Sequence, residues 1–483
     1  MAEQALKDKT ASGLFWGALS NICQQLLNLC FGIFVARILS AADYGMVGML
    51  SLFSLIAGSL QESGFISALV NKKDITHKDY NAVFWFSVLA GISMYISLFL
   101  CAPLIADFFN QPELIPLSRY MFLGFAISSF GTAQAAYLHK NLLVRQKSIS
   151  TILALVISGC CGVLMAYWGY SYWGIATQSI VYIGVVMLCY WYFSPWRPSL
   201  KIDFSPLKEL YSFSIKMLIT NIFIHLNNNV FSIVLGRLFT ENEVGFYNQA
   251  NKWNQMGYST INGMVHGVAQ PVLAKVSEQR ERQLHIFRKL MRFTAFVSFP
   301  ALLGLSLVTP ELIVIAITEK WAPSIPIMQL LCIYGAFFPL TGLCANLIIS
   351  KGKSDVYMWN VIVLSLIILL AIYLSSPFGL NCMILVYVGL NILWLLVWHH
   401  FVNRILGYSL LNLLTDIMPF LLVSVFVMGI THYVTIPFEN IYLRFIGKIF
   451  LAAISYAFIM WATNVHIFKE CIDFFLKRKT AEK

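Results

Sequence analysis

Residues 36–45 read ARILSAADYG, and residues 236–245 read GRLFTENEVG. The two stretches align position by position: Arg37 with Arg237, Ser40 with Thr240, Asp43 with Glu243, Gly45 with Gly245. Extended backwards without a gap, Ser12, Asn21, Ile22, Leu26, Asn28, Phe31 and Ile33 recur at Ser212, Asn221, Ile222, Leu226, Asn228, Phe231 and Ile233. Shared hydrophobicity accounts for the Ile, Leu and Phe matches. It does not account for two Asn, a Ser, an Arg and a Gly. The chain therefore reads as two related halves, an arrangement that recurs in membrane transporters.

The composition says what kind of halves these are. Of 483 residues, 59% are hydrophobic and 11% charged, against about 25% charged in an ordinary soluble domain. The apolar segments are long enough for helices to cross a bilayer and lack the alternation of membrane β-strands. The expected fold class is an all-α integral membrane protein of about fourteen transmembrane helices. The predicted spans are 12–36, 45–70, 80–105, 115–136, 149–168, 174–194, 210–236, 245–271, 292–317, 327–349, 355–375, 379–402, 410–434 and 443–465. Spans one to six make an N-lobe over 1–194, followed by a Pro-rich, basic linker at 195–209 (PWRPSLKIDFSPLKE) that cannot continue a helix. Spans seven to twelve make a C-lobe over 210–408. Spans thirteen and fourteen (409–466) and a tail (467–483) lie outside the repeat. Six is even, so both halves enter the membrane from the same side, giving two parallel six-helix repeats plus two C-terminal helices.

A net charge of +11 invites a nucleic-acid reading, but the positions of the charges oppose it. With the N-terminus on the cytoplasmic side, only Arg37, Arg237, Lys320 and Arg444 fall in loops on the far side, and the other loop cations face the cytoplasm. That asymmetry follows the positive-inside rule and places both termini in the cytoplasm. The basicity then meets anionic headgroups, making membrane lipids the partners and leaving no call for nucleic acid. The polar start MAEQALKDKT predicts no cleavable signal peptide. The ten cysteines show no metal-ligand spacing and read as small packed apolar groups.

The repeated motif has a local job. Ser40 and Thr240 are placed to N-cap the following helix with Asp43 and Glu243 at the third helical position, a capping box. Arg37 and Arg237 are candidates for an outer gate; the alternative is snorkelling at the interface. Residues 275–292 (KVSEQRERQLHIFRKLMR) form a charged connection that reads as a helix lying on the membrane surface.

Inside the membrane, the eighth span carries the main signal. Asn248, Lys252, Gln255, Ser259, Asn262, His266 and Gln270 recur every three or four residues and so share one helical face. A polar face against lipid is costly, so the expectation is a water-filled cavity; a helix interface glued by amides is the alternative. The seventh span repeats the phase with Asn221, His225, Asn228 and Ser232, and the first with Asn21, Gln25, Asn28 and Gly32. In the second span only Ser59 and Glu62 are polar at matching positions. Spans one, two, seven and eight are expected to line one cavity. Lys252 and Lys216 are its cations, suited to an anionic phosphate or acidic sugar. Lys216 lies close enough to a helix end to snorkel instead. Glu62, His225 and His266 are the groups able to exchange a proton or bind a coupling ion, H+ or Na+; a hydrogen-bonded interior role is the alternative for either His. Arg119, Glu311, Asp416 and Lys448 fall near span ends and read as interfacial. Trp253 and Tyr258 are candidates for stacking on a sugar, although most of the aromatic residues near span ends read as membrane anchors.

These features together resemble the Wzx-type polysaccharide exporters of the multidrug/oligosaccharidyl-lipid/polysaccharide exporter superfamily. The resemblance rests on the Ala36-Arg37 to Tyr44-Gly45 turn, on Gly64-Phe-Ile-Ser-Ala-Leu-Val with Lys72-Lys73, on Ala102-Pro103-Leu-Ile-Ala-x-Phe-Phe109 and on Tyr172-Trp173-Gly174. It runs over essentially the whole chain and is clearest in residues 10–110. Asn71 departs from it, standing where Gln is more usual. The resemblance implies a flippase of the bacterial plasma (inner) membrane. Such a protein moves undecaprenyl-diphosphate-linked oligosaccharide by alternating access, coupled to an ion gradient, without a cofactor and without enzymatic activity. It also implies a pathway in which a polysaccharide polymerase acts nearby. The rivals are a cation-coupled multidrug extruder and a membrane polysaccharide polymerase. Spans one and seven hold no Asp or Glu for the first, and no long outer loop or carboxylate cluster serves the second. A nucleotide-driven exporter would need a GxxxxGK[ST] loop, which is absent from the sequence.

Overall fold

The computed structural model describes residues 2–62, 69, 75–141, 143–201, 203–205, 231–232, 234–465 and 467–470. The described residues are helical with no strand, as a chain in hydrocarbon must be when each backbone N–H needs a partner within its own segment. The helices are α1 (Ala2–Ile38), α2 (Ala41–Glu62), α3 (His77–Phe109), α4 (Leu114–Ser129), α5 (Thr132–Lys140), α6 (Val144–Tyr167) and α7 (Tyr172–Phe193). They continue with α8 (Glu241–Lys275), α9 (Arg280–Ile317), α10 (Ser324–Ser350), α11 (Ser354–Ser375), α12 (Leu380–Leu406), α13 (Leu410–Thr435) and α14 (Ile441–Ala462). Among the described residues ten helices are long and apolar enough to cross a membrane, or eleven if the bent pair α4–α5 is one span. The protein is thus an all-α, multi-pass membrane protein. Most of the expected seventh span, 210–230 and 233, lies outside the described residues.

The chain forms two compact units, Met1–Gly245 and Phe246–Lys483. In the first, α6 packs between α1 and α7, and α3 packs along α4. The fourth span is bent by 48° between α4 and α5. The break frees the Phe130 carbonyl, which accepts from Trp191 Nε1 at 2.7 Å, the kind of side-chain repair that makes a broken helix tolerable in a membrane protein. The linker lies across the start of α3. Trp196 is buried among Tyr80, Phe84 and Ala133, and Asn81 Nδ2 donates to the Lys201 carbonyl while its Oδ1 accepts from Ser199 N, both at 2.8 Å.

Both copies of the repeated motif belong to this first unit, and both form the expected capping boxes. Ser40 N donates to Asp43 Oδ2 at 2.8 Å and Asp43 N returns a bond to Ser40 Oγ at 3.3 Å. Thr240 N donates to Glu243 Oε2 at 3.0 Å and Glu243 N to Thr240 Oγ1 at 3.4 Å. The glycines that close each motif have a further role. A Cβ on Gly45 would collide with the Glu241 carbonyl, and a Cβ on Gly245 with the Ala41 carbonyl. The first turns of α2 and α8 therefore meet backbone to backbone, each glycine against the other copy's first helical residue. Only a residue without a side chain permits that approach.

In the second unit, α8 lays Ile261, Val265, Ala269 and Leu273 against Phe287, Met291 and Phe299 of α9 and Leu340 and Leu343 of α10, with α12, α13 and α14 completing the cluster. The segment 275–292 does not form a separate surface helix. Residues 276–279 turn the chain and Arg280 begins one continuous helix to Ile317. No breaker interrupts the charged run, so the span helix simply extends past the bilayer: 38 residues rise about 57 Å, against roughly 30 Å of hydrocarbon.

Three of the groups read as interfacial are instead buried inside this unit. Lys448 Nζ on α14 donates to Glu311 Oε1 and Oε2 on α9 at 2.7 and 2.9 Å and to the Leu307 carbonyl at 3.1 Å. Both side chains are 4% exposed. Asp416 is likewise buried, on Arg288 and Arg292. Arg119, in the first unit, is half-buried with its guanidinium over the Phe99 ring. Each group sits near a helix end in sequence but faces a neighbouring helix, which sequence position alone does not reveal. Breaking a buried pair leaves one charge uncompensated. Glu311→Gln is expected to destabilise the protein by about 3–5 kcal/mol, whereas Glu311→Leu combined with Lys448→Met is expected to be near neutral. Denaturation of the purified variants in detergent distinguishes the two outcomes.

Candidate functional site

The polar stripe of the expected eighth span lies on α8, which is not among the ten helices long and apolar enough to cross a membrane, and which has a buried side. Tyr247, Ala250, Asn254, Ile261, Val265, Ala269 and Leu273 are buried. Asn248, Gln255 and Asn262 are partly accessible, and Lys252 and Ser259 are exposed. From Asn248 to Asn262 the accessible side chains line up over about 21 Å of helix rise. Of the five, Lys252 and Ser259 are the exposed ones, while Asn248 Nδ2 and Asn262 Oδ1 are themselves buried. His266 and Gln270 fall on helical backbone, but their side chains lie outside the described residues, as do those of Ser59 and Glu62 on α2.

The aromatic candidates on α8 are committed to packing in different degrees. The Tyr258 ring lies 4.4 Å, centroid to centroid, from Phe338, and also meets Tyr334. Its face is used by the protein itself. Trp253 is partly accessible.

Asn21, Gln25 and Asn28 are all exposed on α1. They share that exposure with Ile22 and Leu26, so the polar phase of α1 is embedded in a broadly accessible surface and is less sharply two-faced than α8. Lys216, Asn221, His225 and Asn228 lie outside the described residues. Ser232, in the same phase, is buried.

The outer-gate candidates differ from one another. Arg237 lies with its guanidinium carbon 5.6 Å from the Phe108 ring centroid. Its Nη1 donates at 2.8 Å to the Asn110 side-chain oxygen, once that amide is oriented to suit its neighbours. Asn110 itself closes α3 in the left-handed conformation, φ 55°. Arg37 is exposed. Gln111 Nε2 donates to Glu241 Oε2 at 3.1 Å, adding a third contact between the end of α3 and the second copy of the motif.

Sequence reasoning missed Asn254 and Gln249. Both are buried, with Asn254 Oδ1 pressed on Gly335 of α10. Asn254 follows Ala250 by four residues on the apolar phase, so an amide out of step with the stripe was the available signal.

The comparisons with known proteins converge on one group. Residues 34–326 match the model of the family described as polysaccharide biosynthesis protein. The chain belongs to that family. It is similar to the lipopolysaccharide biosynthesis protein WzxC of Escherichia coli (strain K12), 27% identical over 364 residues, 74% of this chain and 73% of that protein. It is also similar to the teichuronic acid biosynthesis protein TuaB of Bacillus subtilis (strain 168), 24% identical and covering 83% of this chain and 82% of that one. The fold matches the inward closed conformation of the lipid II flippase MurJ with a TM-score of 0.76 at 13% identity, over 93% of this chain and 99% of that chain. An inward-facing multidrug resistance transporter of the MATE family matches with 0.65, over 79% and 94%.

The two-faced reading of α8 predicts a labelling pattern. With cysteines introduced singly from 247 to 262, a water-soluble maleimide is expected to react at 248, 252, 255, 259 and 262. It should spare 250, 254 and 261. Uniform protection across the series would show that α8 is dry on every side.

Proposed function

We propose that this protein is a flippase for a polyprenyl-diphosphate-linked oligosaccharide in the bacterial plasma membrane. It carries the headgroup from the cytoplasmic to the outer leaflet by alternating access. The observation that carries the proposal is the accessible polar face of α8 with Lys252 at its middle. A diphosphate-sugar headgroup loses its hydration on entering hydrocarbon, at a cost of many kcal/mol if nothing replaces the water. An ordered row of amides and hydroxyls with one ammonium replaces it, the Lys252 ammonium serving as a charge-assisted donor to phosphate oxygens. Family membership and the printed names of the relatives support the same cargo class: lipopolysaccharide and teichuronic acid for two sequence relatives, lipid II for the structural one.

In this reading Asn248, Gln255 and Asn262 extend the row on either side of Lys252. Lys216, Asn221, His225 and Asn228 add to it from the seventh span, and Asn21, Gln25 and Asn28 from α1. Glu62, His225 and His266 are the groups through which H+ or Na+ drives the cycle, with Arg37 and Arg237 at the outer turns. No step makes or breaks a covalent bond. The positive-inside pattern supports cytoplasmic termini, and glycan repeats delivered to the outer leaflet become substrate for a polysaccharide polymerase. A multidrug extruder shares the fold, but an accessible ammonium repels the cationic cargo of such a protein, and spans one and seven supply no acid to offset it.

In proteoliposomes loaded with lipid-linked oligosaccharide, Lys252→Ala is expected to lower headgroup translocation about tenfold, the worth of one charge-assisted hydrogen bond. Lys252→Arg should recover part of it, and membrane insertion should be unchanged. Translocation at the wild-type rate would remove Lys252 from the site. Glu62→Gln under an imposed proton or sodium gradient is expected to abolish the gradient's acceleration while leaving slow, uncoupled exchange. Acceleration equal to wild type would exclude Glu62 from coupling.

A further inference from the structure

Far from the polar stripe in sequence, the second unit assembles a charge cluster that flipping does not use. Asp416, one and a half turns into α13, is completely buried. Arg288 grips it with two parallel bonds, Nε to Oδ2 and Nη2 to Oδ1, both 2.9 Å. Arg292 Nε reaches Oδ1 at 2.5 Å, and Tyr408 Oη donates to Oδ2 at 2.9 Å. Burial, and then the adjacent carboxylate, push the Tyr408 phenol well above its ordinary value, so it remains a donor. The carboxylate is saturated. The guanidinium groups are not: each carries five N–H donors, of which Arg292 gives one to Asp416.

The unused donors open onto a cavity of about 190 Å³ lined by His285, Arg288, Lys289, Arg292, Ile467 and Glu470. The four basic residues recur on one face of α9. Lys289 pairs with Glu470 at 2.8 Å across the cavity rim, where both are partly exposed. Three permanent cations against two carboxylates leave the site net positive. The arginines are also held in place: Asp416 fixes both side chains before any ligand arrives, so little rotamer entropy remains to be lost on binding. A planar fork of fixed N–H groups matches the oxygens of a phosphate.

The site's level in the membrane says what carries that phosphate. The cluster ends where the apolar run of α9 begins, at Phe293, so it lies at the headgroup boundary. Ile467 gives the cavity an apolar wall. On α13, which supplies Asp416, Leu411, Leu414, Met418 and Leu422 are exposed on the opposite face of the helix. Phosphate at the boundary, with the apolar Ile467 as one wall and the apolar run of α9 beyond it, is the layout of a phospholipid site.

We propose that this pocket takes the headgroup phosphate of an anionic phospholipid such as phosphatidylglycerol. The full-length protein, reconstituted in nanodiscs of mixed phosphatidylglycerol and phosphatidylcholine and released for native mass spectrometry, reports which lipid it retains. The expected result is preferential retention of phosphatidylglycerol. Arg292→Gln should weaken it about tenfold, with Asp416 still paired to Arg288, and Glu470→Gln, which frees Lys289, should strengthen it. Glu470→Gln alters a surface position and keeps the test decisive if the arginine variant folds poorly. In pure phosphatidylcholine nanodiscs, inorganic phosphate should leave thermal stability unchanged. Stabilisation by phosphate that Arg292→Gln abolishes would assign the pocket to a free anion and overturn the lipid. Equal retention of the two lipids, or retention indifferent to both variants, would overturn the site.

Discussion

Hydrocarbon offers no hydrogen-bond partner to a peptide group or a polar side chain, and the described structure can be read as a set of answers to that lack. Backbone groups answer it by helix formation. Where a helix breaks, at Phe130, an indole N–H takes the freed carbonyl. Where the chain turns, at Ser40 and Thr240, side-chain oxygens and carboxylates satisfy the first amides of the next helix. Where acids and bases enter the second unit, they close on each other: Glu311 on Lys448, Asp416 on two arginines and a tyrosine. Against that background α8 stands apart. Its buried face is packed like any other helix of the unit, while Lys252 and Ser259 remain exposed.

The same contrast explains why a shared fold does not fix what is carried. A lipid II flippase and multidrug transporters both superpose on this chain. The difference between a cationic drug and a diphosphate lies in a few side chains along the path. An ammonium along the path favours anions, and a carboxylate in its place favours cations. The backbone supplies passage and the side chains supply selection.

What could be read from the sequence was what depends on neighbours within a turn or two. The capping boxes at Ser40–Asp43 and Thr240–Glu243 are local chemistry, and both form. The phase of the α8 stripe is local periodicity, and Lys252 and Ser259 are its exposed members. Contacts made over long separations were not legible. Asp416 meets arginines more than a hundred positions away, and Lys448 does the same with Glu311; proximity to a span end suggested an interfacial setting for all of them. The charged run at 275–292 was read as a surface helix because its polarity changes where the membrane begins. Helix geometry ignores that boundary, and α9 continues through it. The bend in the fourth span was missed because a Phe-Gly pair is too common in membrane helices to signal one.

The reciprocal approach of Gly45 and Gly245 has a consequence for how such a chain can change over generations. Each glycine is confined by a carbonyl that belongs to the other copy of the motif. A larger residue in one copy therefore cannot be accommodated by adjustments within that copy; the opposite turn has to yield as well. The two copies of the motif are coupled at this point, and drift in one is limited by the geometry of its twin.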